Sequence, residues 1–441
     1  MSESLEPIYG DRTLTVEPYG VEKVPDPERH GTAKSQFTLW LGSNLTIADF
    51  ALGFFPISLG LSWGWTILAL VVGNLLGAWA LGAASAMGPE AGLPQLMISR
   101  LVFGSFGGRL PALLNYVSTI GWFSVNNILG SFGLQVLFPH LPFWLASGLL
   151  VIVQGCLAIF GHNLIHVYER LMSVVLGVLF LIVSIILLTE HRLGTYHSTI
   201  HGEPWAPFAL VVAAALSYLG SWAPYAADYS RYLPSNTRPQ SVRRWSFWGG
   251  FLASLWLELV GAGVAMVAGA SANPIAALHQ VSGAFGVLAV VAIILGGTAA
   301  DALNLYSNAL AAGALNIRWP RWTLAVIASL IGLALSWLGS GSFESYYDNF
   351  LLLLGYWLTP WLGVMVVAWY RRRQNPLTPR PGVVWPALVS FLIGFLISIP
   401  FMSSTLYTGP IAQSLHGADL TFYVGFLVAL GVYGLWTARR A

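Results

Sequence analysis

Over residues 37–437 the chain alternates long apolar stretches with short polar ones. Each stretch approaches the ~20 residues an α-helix needs to cross about 30 Å of hydrocarbon. Twelve segments are expected, near 38–60, 64–87, 110–136, 141–161, 167–189, 207–227, 246–270, 285–313, 322–338, 345–370, 384–403 and 420–437. The pattern predicts an all-α membrane protein with twelve transmembrane helices. Basic residues test the count. With both termini cytoplasmic, the inner connections hold 19 of the 20 Lys and Arg residues, including Arg100, Arg109, Arg170, Arg231, Arg318, Arg371, Arg439 and Arg440, and only Arg192 falls outside. This bias supports an even number of spans and sets the orientation.

Two segments are interrupted. Segment 1 holds Asn44, Thr46 and Asp49, with Gly53 and Pro56 close behind, and segment 6 holds Gly220 and Pro224. They lie five segments apart. A unit with an odd number of spans repeats upside down in the membrane, so a five-plus-five inverted-repeat transporter core is expected, with segments 3 and 8 equivalent. Unwound helices at matched places free backbone groups that can meet a cation or an anionic substrate edge. A plain proline kink is the simpler alternative. The expected layout is a cytoplasmic tail over 1–36, a ten-helix transport core over 37–371, and two additional helices with a short tail over 372–441.

Composition narrows the class. Apolar residues make up 56% of the chain and charged residues 9%, against about 25% charged in an ordinary globular protein. The first 36 residues are instead polar, with Glu3, Glu6, Asp11, Glu17, Glu22, Asp26 and Glu28, and lack the apolar run of a signal peptide. The single Cys156 excludes an intrachain disulfide and a Cys-rich metal centre. A net charge of +2, with the basic residues at membrane edges, argues against nucleic acid. A phosphate-binding Gly-rich loop with Lys is missing, as is a nucleophile motif, so ATP-driven transport and enzymatic catalysis both fit poorly. His162 and His166, and the outer-loop His191, His197 and His201, carry no firm metal signature. No cofactor, and no obligate protein partner beyond the lipid bilayer, is inferred.

The candidate chemistry lies inside the spans. Segment 8 places Thr298, Asp301 and Asn304 three residues apart, on roughly one side of a helix. A carboxylate at mid-membrane costs about 2.5–3.5 kcal/mol on insertion scales. It is kept where it meets a cavity, an ion or a substrate, or where a neighbouring helix satisfies it. On segment 3, Trp122 and Asn126 are i and i+4. An indole beside a carboxamide suits a flat heterocycle, the ring stacking while the amide reads a donor–acceptor edge. Trp222, at the segment 6 break, is placed to cover the opposite face, and Asn304 supplies a second amide. Asp49 is suited to bind a cation, take a proton or accept a substrate N–H. Glu258, mid-segment 7, reads as a proton site or a buried polar partner. Asp228, near Arg231, reads as an ion pair or a helix-end contact, and Glu344 and Asp348 as solvated.

Five strings in order then point to a family: G-V-E-K-V-P with R-H-G at 29–31, G-P-E-A-G-L-P-Q-L-M-I-S-R-L-V-F-G at 88–104, G-W-F-S-V-N-N in segment 3, A-D-Y-S-R-Y-L-P at 227–234, and A-L-N-L-Y-S-N in segment 8. Over nearly its whole length the chain resembles the nucleobase:cation symporter-1 family, in particular its purine–cytosine permease branch. The resemblance implies secondary symport of a nucleobase with H+ or Na+ by alternating access. It puts Trp122, Asn126, Trp222 and Asn304 at the stacking and amide positions. It puts Ala48, Asp49 and Thr298 in the cation region, where Na+ would sit near Ala48 and Thr298. Two departures stand out: Thr298 is followed by Ala299 where sodium-coupled members look to have a second hydroxyl, and Asp301 stands where related permeases commonly have Asn. Both favour a proton, although a sodium ion at Asp49 would fit almost as well.

The expected protein therefore imports cytosine or a purine across the cell membrane. Trp122, Asn126, Trp222, Asn304, Asp49 and Asp301 are its substrate candidates, and Ala48, Asp49, Thr298, Asp301 and Glu258 its coupling candidates. Hydantoin, allantoin, uracil or a vitamin-precursor pyrimidine is the alternative substrate. An uncoupled channel is the alternative class. An intramembrane aspartyl protease fits less well, because Asp228 and Asp301 lack a glycine-flanked context.

Overall fold

The first apolar segment is not one helix but three: α1 (Ser35–Asn44), α2 (Ile47–Leu52) and α3 (Phe54–Ser58). The chain unwinds at Leu45 and Thr46. Thr46 is extended (φ −121°, ψ 163°), and its hydroxyl oxygen accepts the Asp49 N–H at 3.4 Å, capping α2. Gly53 and Pro56 accompany a second, milder discontinuity between α2 and α3. The computed structural model describes residues 10–12, 17–160, 162–191, 193, 196–374 and 376–438. Glu3, Glu6, Arg192, Arg439, Arg440 and the side chain of Cys156 lie outside the described residues.

The other helices follow in order. They are α4 (Trp63–Ser85), α5 (Gly88–Ala91), α6 (Gln95–Phe103), α7 (Arg109–Leu137), α8 (Phe143–Phe160), α9 (His162–Glu190) and α10 (Trp205–Gly220). Then come α11 (Ala226–Ser230), α12 (Pro239–Ala268), α13 (Pro274–Val281), α14 (Gly286–Ala314) and α15 (Arg321–Gly339). The chain closes with α16 (Phe343–Tyr370), α17 (Trp385–Ser398), α18 (Pro410–Ser414) and α19 (Thr421–Ala438). Segment 6 is broken as its Gly and Pro foretold: α10 stops at Gly220, a 3-10 turn covers Ala223–Tyr225, and α11 resumes. The architecture is all-helical, and among the described residues the one β contact is an isolated Ser403–Thr408 bridge. The loop 88–104 contains two helices the apolar pattern did not anticipate, α5 and α6.

By length and composition, seven helical stretches among the described residues could each cross a membrane; α14, within Gly283–Ala314, belongs to one of them. On α9, Leu171, Val174, Val178, Leu181, Ile185 and Leu188 form an exposed apolar stripe at alternating spacings of three and four. The opposite stripe, Ile165, Glu169, Met172, Leu176, Phe180, Val183 and Leu187, is buried. A helix apolar on its outer face suits lipid rather than water as its surroundings.

Inside, α4 packs on α10 and α12, while α7 packs on α14. Glycine permits the closest approach. A Cβ on Gly53 would lie 2.1 Å from the Glu258 carbonyl oxygen, and one on Gly261 would lie 2.0 Å from that of Phe50. The junction of α2 and α3 and the middle of α12 therefore meet backbone to backbone.

The described part of the N-terminal tail lies against the helix ends. The His30 N–H donates to Tyr232 O at 2.7 Å, and Arg29 donates to Pro89 O at 2.8 Å. Burial and the neighbouring Glu28 carboxylate, which accepts the phenol at 3.1 Å, push the Tyr19 hydroxyl up from its ordinary value. Glu17 is buried and pairs with Arg231 at 2.8 Å, and the same oxygen accepts from Tyr306 at 3.0 Å and from Tyr232. Arg231 thus takes its carboxylate partner from the tail rather than from Asp228. Asp228 makes the helix-end contact instead, accepting the N–H of Gln95, the first residue of α6, at 2.8 Å. Glu344 is exposed and Asp348 half-buried.

Candidate functional site

Three of the candidate side chains join in one hydrogen-bonded row. Asn126 Nδ2 on α7 donates to Asp301 Oδ1 on α14 at 3.0 Å, and Asn304 Nδ2 reaches the same oxygen at 3.4 Å. Tyr225, in the segment 6 break, donates to Asn304 Oδ1 at 3.3 Å. The i, i+3 spacing of Asp301 and Asn304 places both on the α14 face that meets α7. All of these side chains are buried.

Trp122 sits one turn before Asn126 on α7. Its ring meets those of Tyr218 at 5.2 Å, Phe350 at 5.1 Å and Tyr347 at 6.3 Å, at interplanar angles of 86°, 82° and 70°, so none of these neighbours stacks parallel to it. Three buried polar atoms in this patch have no hydrogen-bond partner: Trp122 Nε1, Asn126 Oδ1 and Asp301 Oδ2. A donor and two acceptors therefore stand open beside an indole.

Trp222 belongs to a neighbouring group. Its Nε1 donates to Asn44 Oδ1 at 2.9 Å, and its ring meets Trp40 at 5.4 Å and Tyr225 at 5.3 Å. Tyr225 links this group to the amide row. Tyr218, which bonds Thr46 at 3.0 Å, links the segment 1 break to Trp122.

Asp49 lies apart from the amide row. Ser254 donates to its Oδ2 at 2.9 Å, and the Glu258 carboxyl, one turn further along α12, lies within hydrogen-bonding reach of it. Asn74 on α4 donates to Glu258 Oε2. One oxygen of each acid, Asp49 Oδ1 and Glu258 Oε1, has no other hydrogen-bond partner. Two carboxyls in contact in a low-dielectric interior are compatible when a proton lies between them.

The sodium position fits less well. The Ala48 carbonyl already accepts from Tyr347 at 2.8 Å, and the Thr298 hydroxyl donates to Ile294 O at 2.8 Å. Ala299 adds no oxygen. Segments 1 and 8 do abut there, since a Cβ on Gly296 would lie 2.4 Å from Leu45 O. Ala48 and Thr298 thus lie where two helices meet, and both oxygens keep lone pairs, but Ala299 leaves the position one hydroxyl short.

Sequence reasoning did not single out Tyr225, Tyr218, Ser254, Asn74 or Tyr347 as site residues. An aromatic residue directly after Pro224, inside a broken helix, was the available signal for Tyr225. The others occupy helix interiors that the pattern reads as packing.

Comparison with known proteins defines the class. The family described as "Permease for cytosine/purines, uracil, thiamine, allantoin" matches residues 23–428. The chain belongs to this family of membrane permeases, which are transporters rather than enzymes. Within it, the chain falls in the purine–cytosine branch of the nucleobase:cation symporter-1 family. YxlA of Bacillus subtilis, provisionally named a purine-cytosine permease, is 30% identical over 445 residues, covering 95% of each chain. The purine-cytosine permease fcyB of Emericella nidulans is 26% identical over 471 residues, covering 96% of this chain and 91% of its own. Among solved structures, Mhp1, a nucleobase-cation-symport-1 family transporter with bromovinylhydantoin bound, shares the fold with a TM-score of 0.78 at 19% identity and 96% coverage of both chains.

Proposed function

We propose that this chain imports cytosine or a purine across the cell membrane by symport with a cation, H+ in preference to Na+. The carrying observation is the set of open polar atoms at Trp122 Nε1, Asn126 Oδ1 and Asp301 Oδ2, gathered beside an indole. A nucleobase fits this set: its flat ring stacks on Trp122, ring N–H and exocyclic amine protons reach the two acceptors, and a carbonyl or ring nitrogen meets the indole N–H. Asn304 holds the row in place and becomes a direct ligand once Tyr225 yields. Trp222 closes the site from the segment 6 side.

Coupling is assigned to buried acids. Asp301 touches both amides, so its charge state and the ligand are linked. Asp49 and Glu258 form an acid pair between α2 and α12. The missing hydroxyl at Ala299 and the titratable carboxylate at Asp301 favour H+. Na+ bound through Asp49, whose Oδ1 is open, is the second reading.

The proposed architecture has twelve spans, both termini cytoplasmic, a five-plus-five inverted-repeat core over 37–371 and two further helices over 372–441. The segment 1 and segment 6 breaks, five spans apart, support the repeat. Rocking of the group carrying Trp222 and Asp49 against the group carrying Trp122 and Asp301 would alternate access.

The test is radiolabelled cytosine uptake into proteoliposomes, sodium-free, with an imposed inward proton gradient. Concentrative, saturable uptake is expected. Uptake only with sodium would replace the ion. Uptake only of a hydantoin, allantoin, uracil or a vitamin-precursor pyrimidine would replace the substrate. Flux without saturation or counterflow would indicate a channel.

A further inference from the structure

Glu169 stands out among the buried acids. It lies on the inward stripe of α9, and among the described residues it is the one carboxylate whose two oxygens are both buried without a hydrogen bond. Ser43 on α1 is near enough to serve it, but that hydroxyl donates to Leu39 O at 2.7 Å. Gly42 presses on the acid so closely that a Cβ there would lie 2.4 Å from Glu169 Oε2. The cleft around it, lined by Leu164, Ile165, Tyr168, Ala299 and Ala302, has no room for a water molecule.

An unpaired carboxylate in a dry, apolar cleft persists as a neutral acid or not at all. The surroundings offer no counter-charge. Gly42 and Ser43 face it from α1 and Ala299 and Ala302 from α14, so neither helix brings a titratable group to the cleft; Tyr168, beside it on α9, offers a phenol and no counter-charge.

An exit lies one turn away. His166 is i−3 from Glu169, and its Nε2 is buried and unpaired. His166 also lines a recess of ≈260 Å³ on the tail side, with His30, His162, Arg170, Asp11 and Asn163. Glu169 is seven residues into α9, about 10 Å along the axis from its tail-side end. The acid therefore sits between the α1–α14 contact, which borders the proposed site, and a polar mouth.

We propose that Glu169 is a proton site coupled to transport, loaded when α9 is packed against α1 and α14 and emptied through His166 into the tail-side recess. The step is a simple exchange: the carboxyl O–H breaks, the proton passes to His166 Nε2 and then to water, and the carboxylate is reprotonated in the next cycle. The coupling rests on the import reading above; the proton itself does not.

The test compares full-length wild type, Glu169→Gln and Glu169→Asp in lipid. An infrared carboxylic-acid C=O band, recorded without substrate, is expected in wild type and missing in Glu169→Gln. For one proton per substrate, a gradient of one pH unit should support about tenfold accumulation. Glu169→Gln should bring that ratio to about one while keeping cytosine binding and counterflow, and Glu169→Asp should restore part of it. A wild-type spectrum unchanged in Glu169→Gln overturns the proposal, as does wild-type accumulation by Glu169→Gln. Loss of binding and counterflow together with accumulation gives Glu169 a packing role and also overturns it. Failure of the import reading shows separately, as wild type that neither binds nor exchanges a nucleobase, and the band still decides the proton.

Discussion

Replacing Trp122 with Ala should weaken cytosine binding about 5- to 140-fold. A base stacked on an aromatic side chain is worth roughly 1–3 kcal/mol, and each 1.4 kcal/mol is about tenfold in affinity. The indole is buried, so the substitution acts twice. It also empties the space bounded by Tyr218, Tyr347 and Phe350, a change of the kind that costs about 3–5 kcal/mol of stability. Trp122→Phe separates the two effects. It keeps an aromatic face, loses the Nε1 donor and leaves a smaller void, so its affinity should fall within about tenfold of wild type. The assay is equilibrium binding of radiolabelled cytosine to purified protein, with melting temperature and monodispersity measured on the same samples. A folded Trp122→Ala protein that binds as tightly as wild type refutes the stacking argument. So does a folded Trp122→Phe protein that binds no better than Trp122→Ala, because the ring face would then contribute nothing.

Other perturbations follow from the same contacts. Asp301→Asn keeps an acceptor for Asn126 and Asn304 but removes the titrating group; cytosine affinity should drop by about three- to tenfold, the difference between a charged and a neutral hydrogen bond. Proton dependence of uptake should weaken in that variant, and an unchanged pH profile would remove Asp301 from coupling. Glu17→Ala leaves the buried Arg231 without its carboxylate, which should cost about 3–5 kcal/mol and lower the melting temperature clearly. A melt at the wild-type temperature would show that the tail contact is dispensable. Gly53→Ala forces a methyl to within 2.1 Å of the Glu258 carbonyl oxygen, so the yield of monodisperse protein should collapse, whereas Gly64→Ala, with open space around its Cβ, should express normally.

Much of the fold was legible because a membrane permits few options. Each apolar run had to be helical, and the interruptions at Gly220 and Pro224 mark a real break. Segment 1 was harder to read. Gly53 and Pro56 advertise a kink, yet the full unwinding lies at Leu45 and Thr46, where a capping hydroxyl rather than a glycine decides the geometry. In the site, the spacing on segment 8 puts Asp301 and Asn304 on one face, since helical periodicity fixes which side chains share a face; the contact of Asp301 with Asn126 on another helix is read from the structure alone. Long-range partners carry no such signature. Arg231 finds Glu17, 214 residues away, in a tail that composition describes only as polar. Glu169 carries no such signature either: it lies at the start of segment 5 beside Arg170, and only the packing of α1 and α14 shows that it is buried.

If the proposed function holds, the hydrogen bond from Tyr225 to Asn304 sets an entrance requirement. It ties the broken segment 6 to α14 at 3.3 Å, and it occupies an amide oxygen that a substrate would otherwise read. Such a neutral bond is worth about 0.5–1.5 kcal/mol net. A visitor engaging Asn304 has to outbid that clasp, so a ring offering one weak contact leaves the two helices tied together. Under the proposed function, a ring that satisfied Trp122, Asn126 and Asp301 at once would gain enough to release Tyr225. Discrimination would then begin with the protein's own tyrosine, acting as a standing rival to every ligand, before the shape of the site is consulted.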